Sequence, residues 1–440
     1  MDSLGTRATS TSENPPGATL AIHEAEEHAE QLTSTHTGQA APIEDKRARV
    51  KAARAKWINA LKQVWPIYFS VHLAFIVITC LAVLFVIPDF SWKALPIDTL
   101  WQSWNRWDSI HYAYLATNGY TDWWRTVFFP LFPLLERGLS LFTHDPFIAG
   151  LIISNLAGLA MLVVLYRLVE EDFDSERASR TVLYLSLFPV AFFFAAAYTE
   201  SLFLLLALLS FYNMRRGHWW LAGVFGFFAT FTRLTGLLLL LPFCYEYIRQ
   251  HQFKLKTIRF DVFGGTLFAA ALVVFTAYCY YRFHMLFPFS RAEHYMWSRN
   301  LHSPWFIIRN EIAGLAQSNG FLSFHALRNL IDIGQILLIL AMLILSIVGP
   351  WRFPSSLWSY SLYLLLCFVV LQLNPVNVNP LRGPFPLQSF PRYMLEVFPA
   401  FIVLAGVGSR FRTIHLSYLM VSGVILFVLL SLFLTGHWVV

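Results

Sequence analysis

The chain has 440 residues, of which 57% are hydrophobic, 17% aromatic and only 13% charged, with a formal net charge of +6. A soluble domain carries about a quarter charged residues, so this composition excludes a soluble enzyme, a disordered chain and a nucleic-acid binder. In so apolar a chain (mean hydropathy +0.54) the basic balance mainly reports which loops face the cytosol.

Residues 1–45 are polar and rich in Ser, Thr, Glu, Ala and Pro, without periodic apolar positions. They read as a disordered tail and lack the apolar core of a signal peptide. Residues 46–65 form a basic juxtamembrane segment carrying Lys46, Arg47, Arg49, Lys51, Arg54, Lys56 and Lys62. The positive-inside bias puts this end in the cytosol. The rest, 66–440, reads as a multi-pass membrane domain. Apolar runs near 66–87, 147–168, 178–197, 201–214, 219–232, 235–248, 260–282, 326–348, 356–373, 393–409 and 414–434 give about eleven transmembrane helices. Three are short of the roughly 20 residues that cross a bilayer, which suits tilted, broken or re-entrant helices.

Counting from a cytosolic start, the loops with Arg215 and Arg216, Arg249 to Arg259, Arg352, and Arg410 with Arg412 all fall inside. So do all the lysines except Lys93. This holds only if 127–143, with Pro130, Pro133, Glu136 and Arg137, does not cross. External segments are then 88–146, 283–325 and 374–392. The four cysteines, Cys80, Cys244, Cys279 and Cys367, sit in apolar runs without CxxC spacing, which predicts buried thiols. No repeat period occurs, and no nucleotide-binding, cofactor or resident-metal motif.

In the first external segment, Asp98 to Tyr120 on a helical wheel puts Trp101, Trp104, Asp108, His111, Tyr112 and Leu115 on one arc. This predicts an amphipathic helix in the membrane interface. Asp108 interrupts the aromatic stripe, where a general base acting on a sugar hydroxyl would sit. The plainer reading pairs it with Arg106 or makes it a cap; a metal shared with His111 is a third and weaker one. Phe128 to Pro133 carries two prolines in an aromatic run. It reads as a packed turn or as one wall of a groove for a lipid chain. Glu200, in Tyr198-Thr-Glu-Ser201, is either a site residue at a membrane boundary or part of a helix start. Arg233, in Thr232-Arg-Leu-Thr-Gly236, needs an anionic partner at membrane depth; a phosphate or Glu200 would serve. Arg392 is either in an i,i+4 bridge with Glu396 or a second phosphate contact. Arg291, His294, Arg299 and His302 fit a solvated face better than a head-group site.

Five motifs follow in order: RWDSIHYAYLATNGY at 106–120, FFPLFPLL at 128–135, FFFAAAYTESLFLL at 192–205, LAGVFGFFATFTRLTGLLLLLP at 221–242 and FPRYMLEVFP at 390–399. Together, over roughly 100–400, they resemble the PIG-V-type mannosyltransferases, the GPI mannosyltransferase II family and its prokaryotic relatives, which have the GT-C fold. The resemblance implies a first external loop that holds a catalytic acid, here Asp108. It also implies a donor with the sugar on a polyprenyl phosphate, dolichol phosphate mannose in the eukaryotic members. Family pattern residues fall on Arg106, Tyr198, Glu200, Arg233, Arg392 and Tyr393, and His111 joins this substrate-binding set from the Asp108 arc. No DxD or ExD pair stands beside Asp108, so no metal is assigned.

The expected activity is inverting transfer of a mannosyl-type sugar from polyprenyl phosphate to an extracytoplasmic glycan or glycolipid acceptor. Arg233 and Arg392 would face the phosphate. The expected partners are that donor, the acceptor and membrane lipids, without nucleic acid; some eukaryotic relatives also need an accessory subunit. The absence of Asn-x-Ser/Thr sequons favours a prokaryotic plasma membrane over the endoplasmic reticulum and its GPI-anchor biosynthesis. The alternatives are a transporter or flippase of lipid-linked sugar, and a lipid-linked ligase or protein O-mannosyltransferase.

Overall fold

The computed structural model describes residues 41–86, 97–317, 323–373, 375–376 and 390–437. The chain divides into two units, 1–59 and 60–440. The tail assigned to 1–45 lies outside the described residues as far as 40, and from Ala41 the chain is helical. Most of the loop assigned to 374–392 also lies outside them.

Every described element is helical apart from one isolated bridge, Arg299 to Val376. In chain order the helices are α1 (Ala41–Val86), α2 (Ile97–Gln102), α3 (Asp108–Asn118), α4 (Leu131–Thr143), α5 (Pro146–Asp172) and α6 (Ser175–Ser186). Then come α7 (Glu200–Arg215), α8 (Trp219–Thr232), α9 (Leu240–Gln250), α10 (Thr266–Phe283), α11 (Pro288–Tyr295) and α12 (Pro304–Gln317). The series ends with α13 (Phe324–Ile347), α14 (Trp358–Leu373), α15 (Phe390–Tyr393), α16 (Phe398–Arg410) and α17 (Arg412–Leu434). The all-α polytopic reading stands.

Each of the eleven apolar stretches carries helix, but they are not alike. Among the described residues five helices are long and apolar enough to cross a bilayer: Arg47–Leu84, Pro146–Asp172, Phe260–Phe283, Ala326–Ile347 and Arg412–Leu434. A sixth is counted if Phe390–Glu396 and Phe398–Arg410, bent by 78°, form one span. The shorter ones have chemical causes. After α6, Pro189 has no N–H to continue a helix, and the chain runs as tight turns through the buried Phe192, Phe193 and Phe194. After α8, Arg233 takes an extended conformation, and the chain resumes as a 3-10 turn over Leu234–Leu239. The stretch 127–143 holds only the 13-residue α4, too short to span.

Small residues let these helices approach closely, as membrane interfaces favour. A Cβ on Gly223 would lie 2.1 Å from the Gly264 carbonyl oxygen, and one on Gly226 would enter the Phe268 ring. α1 docks on α5 through Tyr68, whose hydroxyl donates to the Asn155 carbonyl (3.0 Å), and His72, which bonds Asn155 Oδ1 (3.0 Å).

Two ionic clusters occupy opposite ends of α7. Arg215, in its last turn, pairs with Asp172 at 2.8 Å and Glu246 at 3.0 Å, while Arg249 binds Glu246 at 2.5 Å. Glu200, at the other end, belongs to the second cluster. Fifteen residues at 1.5 Å rise separate the two by about 22 Å. The loops after α7 and α9, both assigned inside from the sequence, thus meet at one end of α7, and Glu200 and its partners gather at the other.

Candidate active site

The amphipathic helix expected over 98–120 is broken in two. Between α2 and α3 the chain makes successive turns, with Trp104 N–H donating to Trp101 O and Arg106 N–H to Trp104 O (both 3.0 Å). Trp107 sits at φ +54°, a conformation a bulky residue adopts only when its surroundings impose it. The preceding peptide is held from both sides. The Arg106 carbonyl accepts from the Tyr198 hydroxyl at 2.9 Å and the Ser109 hydroxyl at 2.8 Å. Asp108 therefore opens α3, where a carboxylate meets the positive end of the helix dipole.

Asp108 heads a ladder of alternating charge. Arg392 Nη1 donates to Asp108 Oδ2 at 2.6 Å. Arg392 Nε lies 2.8 Å from Glu200 Oε1, to which Arg233 Nη1 donates at 2.7 Å. Arg233 Nε lies 2.9 Å from Glu396 Oε1. Three carboxylates and two guanidiniums thus interlock with a formal charge of −1. Arg233 Nη1 also donates to the Thr199 hydroxyl at 3.0 Å, so Thr199 serves the ladder and leaves α7 without a side-chain cap. The Tyr393 ring lies near three guanidiniums, Arg233 (4.9 Å), Arg299 (5.6 Å) and Arg392 (5.9 Å).

Local sequence explains how Arg233 reaches the ladder. The Gly236 N–H donates to the Arg233 carbonyl at 2.9 Å, closing the turn that follows α8. A Cβ at Gly236 would lie 2.4 Å from the Thr230 backbone nitrogen. Only a glycine fits that approach, and the approach turns Arg233 inward.

The ladder borders a cavity of about 1310 Å³, above the usual range for small-molecule sites. Asp108, Arg233, Arg392 and Tyr393 line it; Arg106, His111, Tyr198 and Glu200 do not. Exposure sorts the carboxylates. Glu200 and Glu396 side chains are 1% and 2% exposed, whereas that of Asp108 is 15% exposed. Asp108 is the ladder's opening to the cavity. His111 packs on Phe128 (4.9 Å, 30° between planes) and edge-on to Trp124. Burial holds its imidazole below the ordinary value against the opposing pull of Asp108, and its ring contacts make it a packing residue. Arg106 donates to the Leu434 carbonyl at 3.4 Å. Phe128 and Phe129 do line the cavity, but Trp104 is bound instead to Thr79 at 3.1 Å.

Two anticipated pairings differ in the structure. Asp108 binds Arg392, not Arg106, and Arg392 binds Asp108 and Glu200, not Glu396. The i,i+4 bridge needs a continuous helix, and the chain turns from α15 into a 3-10 turn at Met394. The expected Arg233–Glu200 pair is present.

The external segment 283–325 is not simply a solvated face. Glu293, Arg291, His294 and Arg299 on α11 and its following loop all line the cavity. Glu293 pairs with Arg299 at 3.3 Å. Burial pushes its carboxyl above the usual range, against Arg299 and with the help of Asp108. Sequence reasoning missed Glu293 because it sits among arginines and histidines that look like a solvated face. No group of three or more His, Cys, Asp or Glu side chains among the described residues is arranged to hold a metal.

No protein-family model matches the chain. It is similar to GPI mannosyltransferase 2 of Yarrowia lipolytica, with 35% identity over 130 residues. That match covers 29% of this chain and 36% of the relative, so the chain spans about a third of the length of the curated relative it matches. Among solved structures it is similar to ArnT from Cupriavidus metallidurans bound to undecaprenyl phosphate (TM-score 0.36, 14% identity, covering 83% of this chain and 77% of that one). It is also similar to the Archaeoglobus fulgidus oligosaccharyltransferase in the apo form (TM-score 0.41, 10% identity, covering 84% and 56%). The resemblance read from the five motifs thus recurs in an independent match to a GPI mannosyltransferase.

Proposed function

We propose that the chain is an integral membrane glycosyltransferase that moves a mannosyl-type sugar from a polyprenyl-phosphate donor to an acceptor outside the cytosol, with inversion. The observation that carries this reading is Asp108. It is a carboxylate fixed by Arg392 and opening into a large, aromatic-walled cavity at the end of α7 remote from the basic loops.

The step is a single displacement. The acceptor hydroxyl gives its proton to the Asp108 carboxylate as its oxygen attacks the anomeric carbon. The bond from that carbon to the phosphate oxygen breaks, and its electron pair leaves with the polyprenyl phosphate. Arg392 holds Asp108 in place, Glu200 and Arg233 hold Arg392, and Tyr198 fixes the turn on which Asp108 sits. Arg106 and His111 support that turn by packing. Tyr393 meets the substrate from the cavity wall. The N-terminus is cytosolic on this reading, and a plasma membrane is favoured. The acceptor is a glycan or glycolipid.

The test is sugar transfer in proteoliposomes from radiolabelled polyprenyl-phosphate mannose. Labelled product in wild type, and none with Asp108→Asn, is the expected result. Movement of the donor across the bilayer without product would make the chain a transporter. The positions of the groups weigh against that, since they collect at one end of α7 and not at a midplane site between repeats.

A further inference from the structure

The charge ladder raises a question about the donor. The sequence reading gave the phosphate to Arg233 and Arg392. Yet each of these guanidiniums already lies between two carboxylates, at 2.6 to 2.9 Å, and the cluster as a whole is negative. A phosphate brought there would feel the charge of Asp108 and, behind the two guanidiniums, of the buried Glu200 and Glu396. The third cavity arginine, Arg299, is engaged with Glu293 at 3.3 Å and lies over Tyr393.

Arg291 differs from all three. It is on α11, exposed, and lines the same cavity. Among the described residues no carboxylate lies within ion-pair reach of it. Its guanidinium carbon stands 5.8 Å from the Trp123 ring centroid and 5.5 Å from that of Tyr295, near the outer limit of cation–π attraction. Such contacts orient the group without using its N–H donors. His294, one turn on, also lines the cavity, as do Phe287, Phe289 and Leu301, which offer apolar surface for an isoprenoid chain.

We infer that Arg291 is the phosphate-binding cation of the donor site, taking the phosphodiester of a lipid-linked phosphosugar between the α11 wall and the Asp108 wall. A guanidinium suits this ligand because its planar fork can meet two phosphate oxygens at once. The division of labour then follows from the charges. The ladder holds the base and repels anions, and the α11 wall receives the anion. The inference rests on the reading under Proposed function.

Binding of undecaprenyl phosphate and of undecaprenol to the purified full chain in nanodiscs tests it. Wild type should prefer the phosphate. Arg291→Gln should weaken undecaprenyl phosphate about ten- to hundred-fold, the scale of one charged hydrogen bond, and leave undecaprenol unchanged. Arg291→Lys should recover part of the loss. Arg137→Gln, an exposed arginine outside the cavity, should change neither. A wild-type preference for the phosphate that survives Arg291→Gln overturns the assignment and leaves the donor class standing. Equal binding of phosphate and alcohol by wild type overturns the donor class itself.

Discussion

Glu200→Gln is the most revealing single change, because Glu200 is the middle charge of the ladder and cannot touch the substrate. Its side chain is 1% exposed, and Oε1 faces Arg233 Nη1 at 2.7 Å and Arg392 Nε at 2.8 Å. The substitution keeps the shape and removes one negative charge. The ladder passes from −1 to 0, but the two guanidiniums are then separated by a neutral amide. Breaking a buried ion pair by removing one partner costs about 3–5 kcal/mol, because it leaves a buried charge uncompensated. Here Arg233 keeps Glu396 and Arg392 keeps Asp108, so the loss should fall at the lower end, about 3 kcal/mol. Unfolding of the detergent-solubilised protein, followed by tryptophan fluorescence against denaturant, reads this directly. Adding Arg233→Gln removes a positive charge as well, and this double variant should be less destabilised than the sum of the two single changes. A loss below about 0.5 kcal/mol for Glu200→Gln, or strict additivity in the double variant, would refute the ladder as a coupled unit.

Four other outcomes follow from the same geometry. Asp108→Asn should insert and fold but transfer no sugar in the proteoliposome assay; normal turnover would remove it as the base. Tyr198→Phe deletes the 2.9 Å bond to the Arg106 carbonyl and should cost about 1 kcal/mol of stability, with turnover falling more than donor affinity, as steady-state kinetics will show. Gly236→Ala forces a Cβ within 2.4 Å of the Thr230 backbone and should lower the melting temperature and activity together, whereas Gly138→Ala, with open space around it, should lower neither. Glu293→Gln is read by pH. The wild-type carboxyl has a raised folded-state pKa, so the folded protein binds its proton more tightly than the unfolded chain. Stability from that proton is full below the unfolded value of about 4.3 and is lost as pH rises through the folded one. The melting temperatures of wild type and Glu293→Gln should therefore agree most closely in acid and diverge, with the variant ahead, as pH rises. A constant difference across that window would contradict the assignment.

Much of the fold was legible because apolar runs and loop charges are local signals. Each of the eleven stretches carries helix, and 127–143, with Pro130, Pro133, Glu136 and Arg137, holds only a 13-residue helix. What local pattern did not carry is where helices stop. At the break before Asp108 the carbonyl of Arg106 accepts from Tyr198, some 90 residues away. A helical wheel drawn over 98–120 has no access to that bond. The same limit applies to Arg392 and Glu396. Their i,i+4 spacing promised a bridge, but the backbone between them is not one helix, and each carboxylate and guanidinium found a partner from a distant segment.

The site shows a related asymmetry between charge and position. Arg233, Glu200, Arg392 and Asp108 are conspicuous in the sequence because each is an ionised group in or beside an apolar run, and the cost of burial demands a partner. That logic locates charges but does not say what neutralises them. With alternating signs and one surplus carboxylate, the protein has neutralised its own arginines, so a foreign phosphate gains little by entering the ladder. The cavity arginine proposed for the phosphate, Arg291, lies where the sequence looked least informative, in a polar external stretch resembling an ordinary solvated face. Such a face and a ligand-binding wall share one composition. They differ only in what the fold brings beside them, which here is a cavity that Asp108 also lines.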